Sequence, residues 1–297
     1  MTPPPGDALA RLLAARRGGR ALLLLFDYDG TLAPLVPHPR LAVLPPATRR
    51  LLDRLSRRPG VRVGIISGRM LDELRQVVGL PALYLGGTSG LEIDLHGVRI
   101  TDPRARRAAA AVARCAASLQ RALAGYAGAW LENKRLALAV HYRAVEPQRI
   151  RELRERVREA LQPHLGELRM VEGPMAVEVM PSSAWSKGTV VEKILAHLGA
   201  DRALPLYAGD AANDADALQA VAALGGIPIG VGPDAPAGVP YRLPDPAALA
   251  GFLFSLDAAL SAEENSCCAG DGSPSPDQAG SVAGKAAASL RNHGEHP

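Results

Sequence analysis

The chain has 297 residues, 47% of them apolar and only 4% aromatic, and its formal net charge is +4. This length suffices for two modest domains, whose core must consist mainly of Leu, Val, Ala and Ile. No apolar run approaches the ~20 residues that a membrane span needs, and the arginines are dispersed along helix faces, so we expect neither a membrane nor a nucleic acid as a partner. The mild positive charge favours a small anionic substrate.

The cysteines and the first residues carry no disulfide, metal-binding or targeting signal. Cys115, Cys267 and Cys268 lack the spacing of a metal site or a disulfide framework. Residues 1–7 lack the basic region and the following apolar region of a signal peptide. We therefore expect a cytoplasmic protein, with a monomer as the simplest oligomeric state.

The first hundred residues alternate between strands and helices. Residues 22–26 are four leucines and a phenylalanine, which is typical of a strand buried on both faces of a parallel sheet. After a lead at residues 1–20, the expected elements are a strand at 21–26, a helix at 46–57, a strand at 61–66, a helix at 70–78, a strand at 83–87 and a hairpin at 91–101. This alternation predicts a parallel sheet covered by helices.

The pattern changes after Thr101. The expected elements are helices at 103–123 and 147–161 and strands at 129–132, 135–143, 168–172 and 176–180. Strands that alternate apolar and polar residues across short turns are typical of an antiparallel sheet. We therefore predict a small α+β domain at residues 102–181, inserted into the parallel-sheet domain.

The parallel pattern resumes after Pro181 and ends in a tail. The expected elements are a helix at 186–198, a strand at 204–208, a helix at 215–223, a strand at 226–231 and a helix at 246–262. Beyond these, Gly, Ser, Ala and Pro dominate without an aromatic residue, so we expect residues 261–297 to be disordered. The core domain thus comprises residues 21–101 and 182–260.

Polar side chains follow several of the core strands. Because parallel strands end at the same edge of a sheet, we expect these side chains to converge. They are Asp27 and Asp29 after the first strand, Ser67 after the second, Lys187 at a helix start, and Asp210, Asn213 and Asp214 after a later strand. Converging carboxylates suit Mg2+ with a substrate phosphate, and a lysine and a hydroxyl add donors for phosphate oxygens.

These residue types also suit phosphoryl transfer. An aspartate can act as a nucleophile through an acyl phosphate, and a carboxylate two residues on can serve as general acid and then as base. Two plainer interpretations stay open, because Asp-Gly is common in turns and Ser67 is a suitable cap for the helix that follows.

The motifs resemble those of the haloacid dehalogenase-like phosphatases. Residues 27–32 (Asp-Tyr-Asp-Gly-Thr-Leu) are similar to motif I, Ser67 to motif II, Lys187 to motif III and residues 209–214 (Gly-Asp-Ala-Ala-Asn-Asp) to motif IV. Four motifs in order, each at a strand or helix end, indicate this superfamily. The resemblance implies a Rossmann-like core with an inserted α+β cap domain.

A narrower resemblance, over residues 20–257, is to the trehalose-6-phosphate phosphatases. It depends on Ser67-Gly68-Arg69, Gly87-Thr88-Ser89-Gly90-Leu91-Glu92, Glu132-Asn133-Lys134, His141-Tyr142-Arg143, Glu178 and Trp185-Ser186-Lys187-Gly188. The resemblance implies hydrolysis of trehalose 6-phosphate to trehalose and phosphate through an aspartyl-phosphate intermediate.

The same resemblance implies roles for the motif residues of the core. Asp27 would be the nucleophile and Asp29 the general acid and base. Mg2+ would be held by Asp27, Asp210 and the backbone carbonyl of Asp29, and the phosphoryl group by Ser67 and Lys187.

Further residues would surround this centre. Asn213 and Asp214 would support the metal and the lysine, and Gly68 and Arg69 would contact the substrate. In the cap, the residues that would bind sugar hydroxyls are Glu132, Lys134, Arg143 and Glu178.

Some positions depart from the family pattern. Ala211 replaces an aspartate in motif IV, and Pro174 and Met180-Pro181 stand where the family has a cap lysine and an Arg-Pro pair. Two alternatives therefore stay open: a phosphatase that acts on another sugar or pseudo-disaccharide phosphate, and a non-catalytic domain that binds sugar phosphates.

Three cap features also have ordinary interpretations. Glu132-Asn133-Lys134 suits a hairpin turn with a surface ion pair. His141 suits cap packing as well as ligand binding, and Trp185 suits the core better than a sugar platform.

Overall fold

The computed structural model describes residues 5–36, 38–173, 175–199 and 202–269. Over these residues the helices are α1 (Pro5–Arg17), α2 (Pro46–Arg57), α3 (Leu71–Val78), α4 (Pro103–Leu123), α5 (Pro147–Leu161), α6 (Lys187–Leu198), α7 (Ala215–Ala223) and α8 (Pro246–Ala269). The strands are β1 (Ala21–Phe26), β2 (Val61–Ile66), β3 (Tyr84–Gly87), β4 (Glu92–Leu95), β5 (Val98–Thr101), β6 (Trp130–Asn133), β7 (Leu138–His141), β8 (Leu168–Glu172), β9 (Ala176–Pro181), β10 (Ala203–Gly209), β11 (Ile227–Val231) and β12 (Tyr241–Leu243).

The larger of two sheets has the strand order β12-β11-β10-β1-β2-β3-β4-β5. Its strands from β12 to β3 pair in parallel, whereas β4 and β5 add an antiparallel hairpin at one edge. Helices α1, α2, α3 and α8 pack on one face, and α6 and α7 pack on the other. The predicted α/β class with a helix-covered parallel sheet is therefore confirmed.

Strand β1 lies at the centre of this sheet, between β10 and β2. Its residues alternate between the two apolar clusters, with Leu22, Leu24 and Phe26 on one side and Leu23 and Leu25 on the other. All five side chains are buried, and each buried side chain of this size stabilises the fold by roughly 1.5–3 kcal/mol. The expectation of a strand buried on both faces is confirmed, and its end is fixed in the middle of the sheet.

The smaller sheet is antiparallel, with the order β6-β7-β9-β8, and it lies in the chain between β5 and α6. Leu131, Val140 and Val177 stand in one row across three strands and pack into a cluster with residues of α4 and α5. Side chains alternate between the two faces of a strand. The neighbouring row, Glu132-Ala139-Glu178, therefore occupies the face away from the two helices.

Three elements differ from the expectation. Strand β7 ends at His141, because the chain turns there through a bond from the Val145 amide to the Tyr142 carbonyl. Strand β12 has three residues, too few for a periodic pattern. Helix α8 continues to Ala269, so residues 261–269 are helical rather than disordered, since their alanine and glutamate residues are good helix formers.

Two expectations fall outside the described residues. One is the departure from the family pattern at Pro174, and the other is the disordered tail over residues 270–297. Among the helices that are described, none is both long enough and apolar enough to cross a membrane.

Candidate active site

Two carboxylates meet at the ends of the central parallel strands. Asp27 follows β1 and Asp210 follows β10, and the Asp27 amide donates to the Ala208 carbonyl at 2.9 Å, which continues the pairing of the two strands. One carboxylate oxygen from each of Asp27, Asp210 and Asp214 lies within 4.8 Å of the others. The predicted convergence of motifs I and IV is therefore present in the structure.

Lys187 joins this carboxylate cluster from the first turn of α6. Its Nζ lies 2.6 Å from Asp27 Oδ1 and 2.6 Å from Asp214 Oδ1, and its side chain is 1% exposed. A lysine at a helix start is unfavourable to the helix dipole, but here two carboxylates offset that cost. The backbone at Gly90 passes close to the backbone just before α6. A Cβ on Gly90, whose φ is +99°, would lie 2.2 Å from the Ser186 carbonyl oxygen.

Asp214 holds the cluster together and has no free oxygen. Its Oδ1 accepts from Lys187 and from the Tyr207 hydroxyl, at 2.6 Å each. Its Oδ2 accepts from the Asp210 and Ala211 amides at 3.0 and 3.1 Å. Position 211 thus contributes its backbone amide, so the Asp-to-Ala departure leaves this contact intact.

Tyr207 is a functional neighbour that the sequence reasoning missed. It is fully buried in β10, and burial together with the negative charge of Asp214 raises the pKa of its hydroxyl well above the usual value. The hydroxyl therefore stays protonated and serves as a fixed donor. A tyrosine in an otherwise aliphatic central strand was the signal available in the sequence.

The buried charges of the cluster do not cancel. Burial and the charges of Asp214 and Asp210 raise the pKa of Asp27 well above its ordinary value, although Lys187 opposes this. Burial and the charge of Asp214 raise the pKa of Asp210 to about 6. Burial alone would lower the pKa of Lys187, but Asp214 and Asp27 outweigh it and raise that pKa.

These groups fit a divalent cation. Three carboxylates against one ammonium leave two negative charges, which a divalent ion would balance. Asp27 uses one oxygen for Lys187, and Asp210 uses one for the Thr31 hydroxyl at 3.1 Å, so each retains another oxygen for a ligand. Hard oxygen donors of this type are those that Mg2+ prefers.

Asp29 and Arg69 form the second charged unit of the core. Arg69 Nε and Nη2 each lie 2.7 Å from one oxygen of Asp29, so the pair is bidentate. The Arg69 side chain is 4% exposed, whereas that of Asp29 is 32% exposed. Ser67 belongs to the same turn, since its hydroxyl accepts from the Arg69 amide at 3.2 Å. The interpretation of Ser67 as a helix cap is wrong, because the N-cap of α3 is Met70, which makes no side-chain cap bond.

Three of the four predicted cap residues, Glu132, Lys134 and Glu178, lie close together near this turn. Lys134 Nζ lies 3.0 Å from Glu178 Oε1 and 3.8 Å from Glu132 Oε2. A Cβ added at Gly68 would lie 3.8 Å from that Nζ and 3.9 Å from the same Glu178 oxygen. Glu132 and Asn133 end β6, and the hairpin turn begins at Lys134. The lysine is buried, so the surface ion pair of the ordinary interpretation is not what forms.

A stack of three rings extends from the cap carboxylates to the core. His141 Nε2 lies 2.8 Å from Glu132 Oε2, and its ring stacks on Trp130 with centroids 4.0 Å apart. Trp130 also stacks on His38 of the core, with ring centroids 4.9 Å apart. Trp130 and His38 were missed, although a tryptophan two residues before Glu132 lies on the same strand face and is rare in so aromatic-poor a chain.

Other predicted residues stand apart from these groups. Arg143 lies two residues past the end of β7 and is exposed, and Asn213 is exposed in a 3-10 turn at Ala212–Asp214. Trp185 packs against an apolar cluster of the core and under the Lys193 ammonium, 4.5 Å away. Met180 is buried in a small cluster with Leu91 and residues of the insertion.

The fold and this site define the class of protein. A haloacid dehalogenase-like hydrolase from Bacteroides thetaiotaomicron has a similar structure, with a TM-score of 0.57 and 15% identity over 80% of this chain and 100% of that chain. At this identity the likeness shows the fold alone, which is that of the haloacid dehalogenase-like hydrolases.

The family follows from more specific comparisons. The family model for trehalose-phosphatase matches residues 25–238. The trehalose-phosphate phosphatase of Mycobacterium tuberculosis is 34% identical over 260 residues, which cover 84% of this chain and 65% of the relative. The structure of the C-terminal domain of Candida albicans trehalose-6-phosphate phosphatase is similar, with a TM-score of 0.70 and 23% identity over 84% of this chain and 96% of that one. The chain belongs to the trehalose-phosphatase family and spans 65% of the length of its mycobacterial relatives.

Proposed function

We propose that the protein is a Mg2+-dependent phosphomonoesterase that hydrolyses trehalose 6-phosphate to trehalose and phosphate, as part of trehalose biosynthesis. The observation that carries this proposal is the contact of Asp27 with Lys187 inside a cluster that also contains Asp210. The proposed nucleophile Asp27, the proposed phosphate-binding Lys187 and the proposed metal ligand Asp210 thus lie together at one edge of the sheet. Membership of the trehalose-phosphatase family supports the choice of substrate.

The reaction would proceed in two displacements. Asp27 attacks the phosphorus, the bond from phosphorus to the sugar oxygen breaks, and Asp29 gives that oxygen a proton. Asp29 then takes a proton from water as the water attacks the aspartyl phosphate, which restores Asp27 and releases phosphate. Lys187 and Ser67 bind phosphoryl oxygens throughout.

Mg2+, held by Asp27, Asp210 and the Asp29 carbonyl, would neutralise charge on the phosphoryl group. Asp214 would keep Lys187 and the Asp210 amide in place, since it bonds to both. Asn213, from its 3-10 turn, would support the metal from the solvent side.

The inserted domain would select the sugar. We propose residues 102–181 as a cap on the core at 21–101 and 182–260. Glu132, Lys134 and Glu178 would bind sugar hydroxyls, and Arg143 would bind them from the turn after β7. The proximity of Lys134 and Glu178 to Gly68 supports this. A cap that covers the site also excludes water until the aspartyl phosphate has formed.

A second candidate is hydrolysis of another sugar or pseudo-disaccharide phosphate. It is favoured by Met180, which is apolar and buried where the family has an arginine. A non-catalytic sugar-phosphate-binding domain is disfavoured, because such a domain has no need of Asp27, Asp29, Lys187 and Asp210 together.

The test is phosphate release from a panel of sugar phosphates, with Mg2+ and with EDTA. We expect the highest kcat/KM on trehalose 6-phosphate and no turnover in EDTA. A higher value on another sugar phosphate would favour the second candidate, and binding without turnover of any member would overturn the enzymatic proposal.

A further inference from the structure

The Arg69 guanidinium is bound by two carboxylates and a backbone carbonyl of the protein. Besides the two bonds to Asp29, its Nη1 lies 2.6 Å from Glu73 Oε1 and its Nη2 lies 2.5 Å from the Pro39 carbonyl oxygen. Its guanidinium also lies 5.1 Å from the centre of the Tyr28 ring. A guanidinium fork fixes the plane of the carboxylate that it binds. These bonds use four of the five N–H donors of the guanidinium, so Arg69 is better suited to orient Asp29 than to bind a substrate.

The Pro39 carbonyl belongs to a short turn that faces the cap. The turn is a 3-10 segment at Pro39–Leu41, closed by bonds from the Leu41 amide to the His38 carbonyl and from the Arg40 amide to His38 Nδ1. The His38 ring lies flat on Trp130 of β6, with 13° between the ring planes. The cap therefore contacts the residue that precedes the carbonyl bound by Arg69.

These contacts are continuous from the cap to Asp29. Glu132 binds His141, His141 stacks on Trp130, Trp130 stacks on His38, and the His38 turn holds Arg69. Two imidazoles, one from the cap and one from the core, stack on the Trp130 ring, so the ring joins cap to core.

We propose that Arg69 is a positioning residue for Asp29, and that the His38 turn, held by the cap through Trp130, supports Arg69 in that role. Docking of the cap would thus complete the placement of the group that carries the proton. This inference rests on the proposed function, because it takes Asp29 as the general acid and base.

Leaving-group chemistry gives the test. A sugar oxygen leaves only when it receives a proton, whereas nitrophenolate leaves as a stable anion. A misplaced Asp29 therefore slows the first displacement on trehalose 6-phosphate but not on p-nitrophenyl phosphate. The water step still needs Asp29 with both substrates.

The variants are Arg69→Lys, which keeps the charge and loses the fork, and His38→Ala, which loses both the ring and the Nδ1 acceptor of the Arg40 amide. His38→Phe lacks the same acceptor, so the difference between His38→Ala and His38→Phe measures the ring alone. We expect kcat on trehalose 6-phosphate to fall about 100-fold in Arg69→Lys, the low end of general-acid contributions. We expect a fall of about fivefold in His38→Ala, on the scale of one aromatic contact. On p-nitrophenyl phosphate, Arg69→Lys should release one nitrophenolate per enzyme in a rapid burst before slow turnover, as should Asp29→Asn.

Three controls separate positioning from folding. His38→Phe keeps the stacked ring and should restore most of the activity that His38→Ala loses. Leu41→Ala changes an exposed side chain of the same turn and should retain wild-type rates on both substrates. Thermal unfolding of each variant identifies any that fail to fold.

Equal losses on the two substrates without a burst, in folded Arg69→Lys, would overturn the role of Arg69. Failure of His38→Phe to restore activity would overturn the role of the ring stack. These failures are distinct from failure of the proposed function, which would show as no turnover of trehalose 6-phosphate by the wild-type protein.

Discussion

The core site and the cap face hold their charges in different ways. In the core, Lys187 and Asp214 are 1% and 0% exposed, and each is bound by groups fixed on central strands or helix starts. In the cap, the carboxylates of Glu132 and Glu178 are 19% and 24% exposed and share Lys134. The core thus has its bonds before a substrate arrives. The cap carboxylates bind Lys134 and His141, and in the proposed function sugar hydroxyls would take the place of these partners. This difference predicts large effects from core substitutions and selective effects from cap substitutions.

The largest effect is expected from Asp27→Asn. The substitution preserves shape but removes the nucleophile, so phosphate release should fall by about 10⁴-fold or more. Circular dichroism and thermal unfolding should remain those of a folded protein. Asp53→Asn is the matched control, because Asp53 pairs with Arg57 on the surface, and it should keep wild-type activity. Near-normal turnover in Asp27→Asn would refute the covalent route.

Asp214→Ala should be the most destabilising change. It removes one partner of a buried ion pair. The Lys187 ammonium, the Tyr207 hydroxyl and the amides of Asp210 and Ala211 each lose the acceptor that Asp214 provides. Such losses cost about 3–5 kcal/mol in the free energy of unfolding, which urea denaturation measures. Tyr207→Phe removes a single bond from the same carboxylate and should cost only about 1 kcal/mol. Similar costs for the two variants would show that Asp214 is not the organiser of the core site.

Local signals in the sequence predicted the frame of the core site well. The apolar run of β1, the proline that starts α2 and the alternation of strands and helices put Asp27, Asp210 and Lys187 at one sheet edge. Each of these signals is contained in a few neighbouring residues. The observed bounds of α2, α4 and α5 agree with the expected ones for the same reason.

Contacts between distant segments were not predictable in this way. The fork between Asp29 and Arg69 joins residues 40 positions apart, and the stack of His38 on Trp130 joins a core turn to a cap strand. Neither follows from a local pattern, because side-chain rotamers and domain placement decide which groups meet. The substrate contact expected of Arg69 stays a prediction, and its bonds to Asp29, Glu73 and a backbone carbonyl could not be read from the sequence.

Glu132→Ala tests the cap side of the comparison. A carboxylate that binds a sugar hydroxyl contributes about 1.5–3 kcal/mol, so kcat/KM on trehalose 6-phosphate should fall about 10- to 100-fold. On p-nitrophenyl phosphate, which has no sugar, the change should be small. Glu167→Ala alters an exposed cap glutamate, paired only with exposed Arg114, and serves as the control. Equal losses on both substrates would argue against a sugar-binding cap.

Asp210 should make the stability of the core depend on pH and on Mg2+. The folded-state pKa of about 6 lies above the ordinary value of 3.8, so between these two values the native state binds more protons than the unfolded state. The free energy of unfolding in EDTA should therefore fall as pH rises through this window. Mg2+ binds the deprotonated carboxylates, so it should raise Tm more at pH 7 than at pH 5. Asp210→Asn should lose most of the Mg2+ effect and part of the slope, because the pKa of Asp27 is raised as well and keeps its own share of the slope. A Tm gain from Mg2+ that is independent of pH would contradict this assignment.

The smallest effect is expected from Arg135→Gln, at the tip of the cap hairpin. Arg135 Nη2 lies 2.9 Å from Asp72 Oδ2 of α3, but the two side chains are 57% and 44% exposed, and Asp72 keeps Arg99 as a second partner. Exposed pairs of this kind contribute at most ~1 kcal/mol and are screened by salt. We therefore expect KM for trehalose 6-phosphate to rise less than about fivefold, with kcat unchanged and no difference from wild type in 1 M NaCl. A loss as large as that of Glu132→Ala, persisting in salt, would mean that the approach of the cap to the core sets selectivity, and not the carboxylates on its inner face.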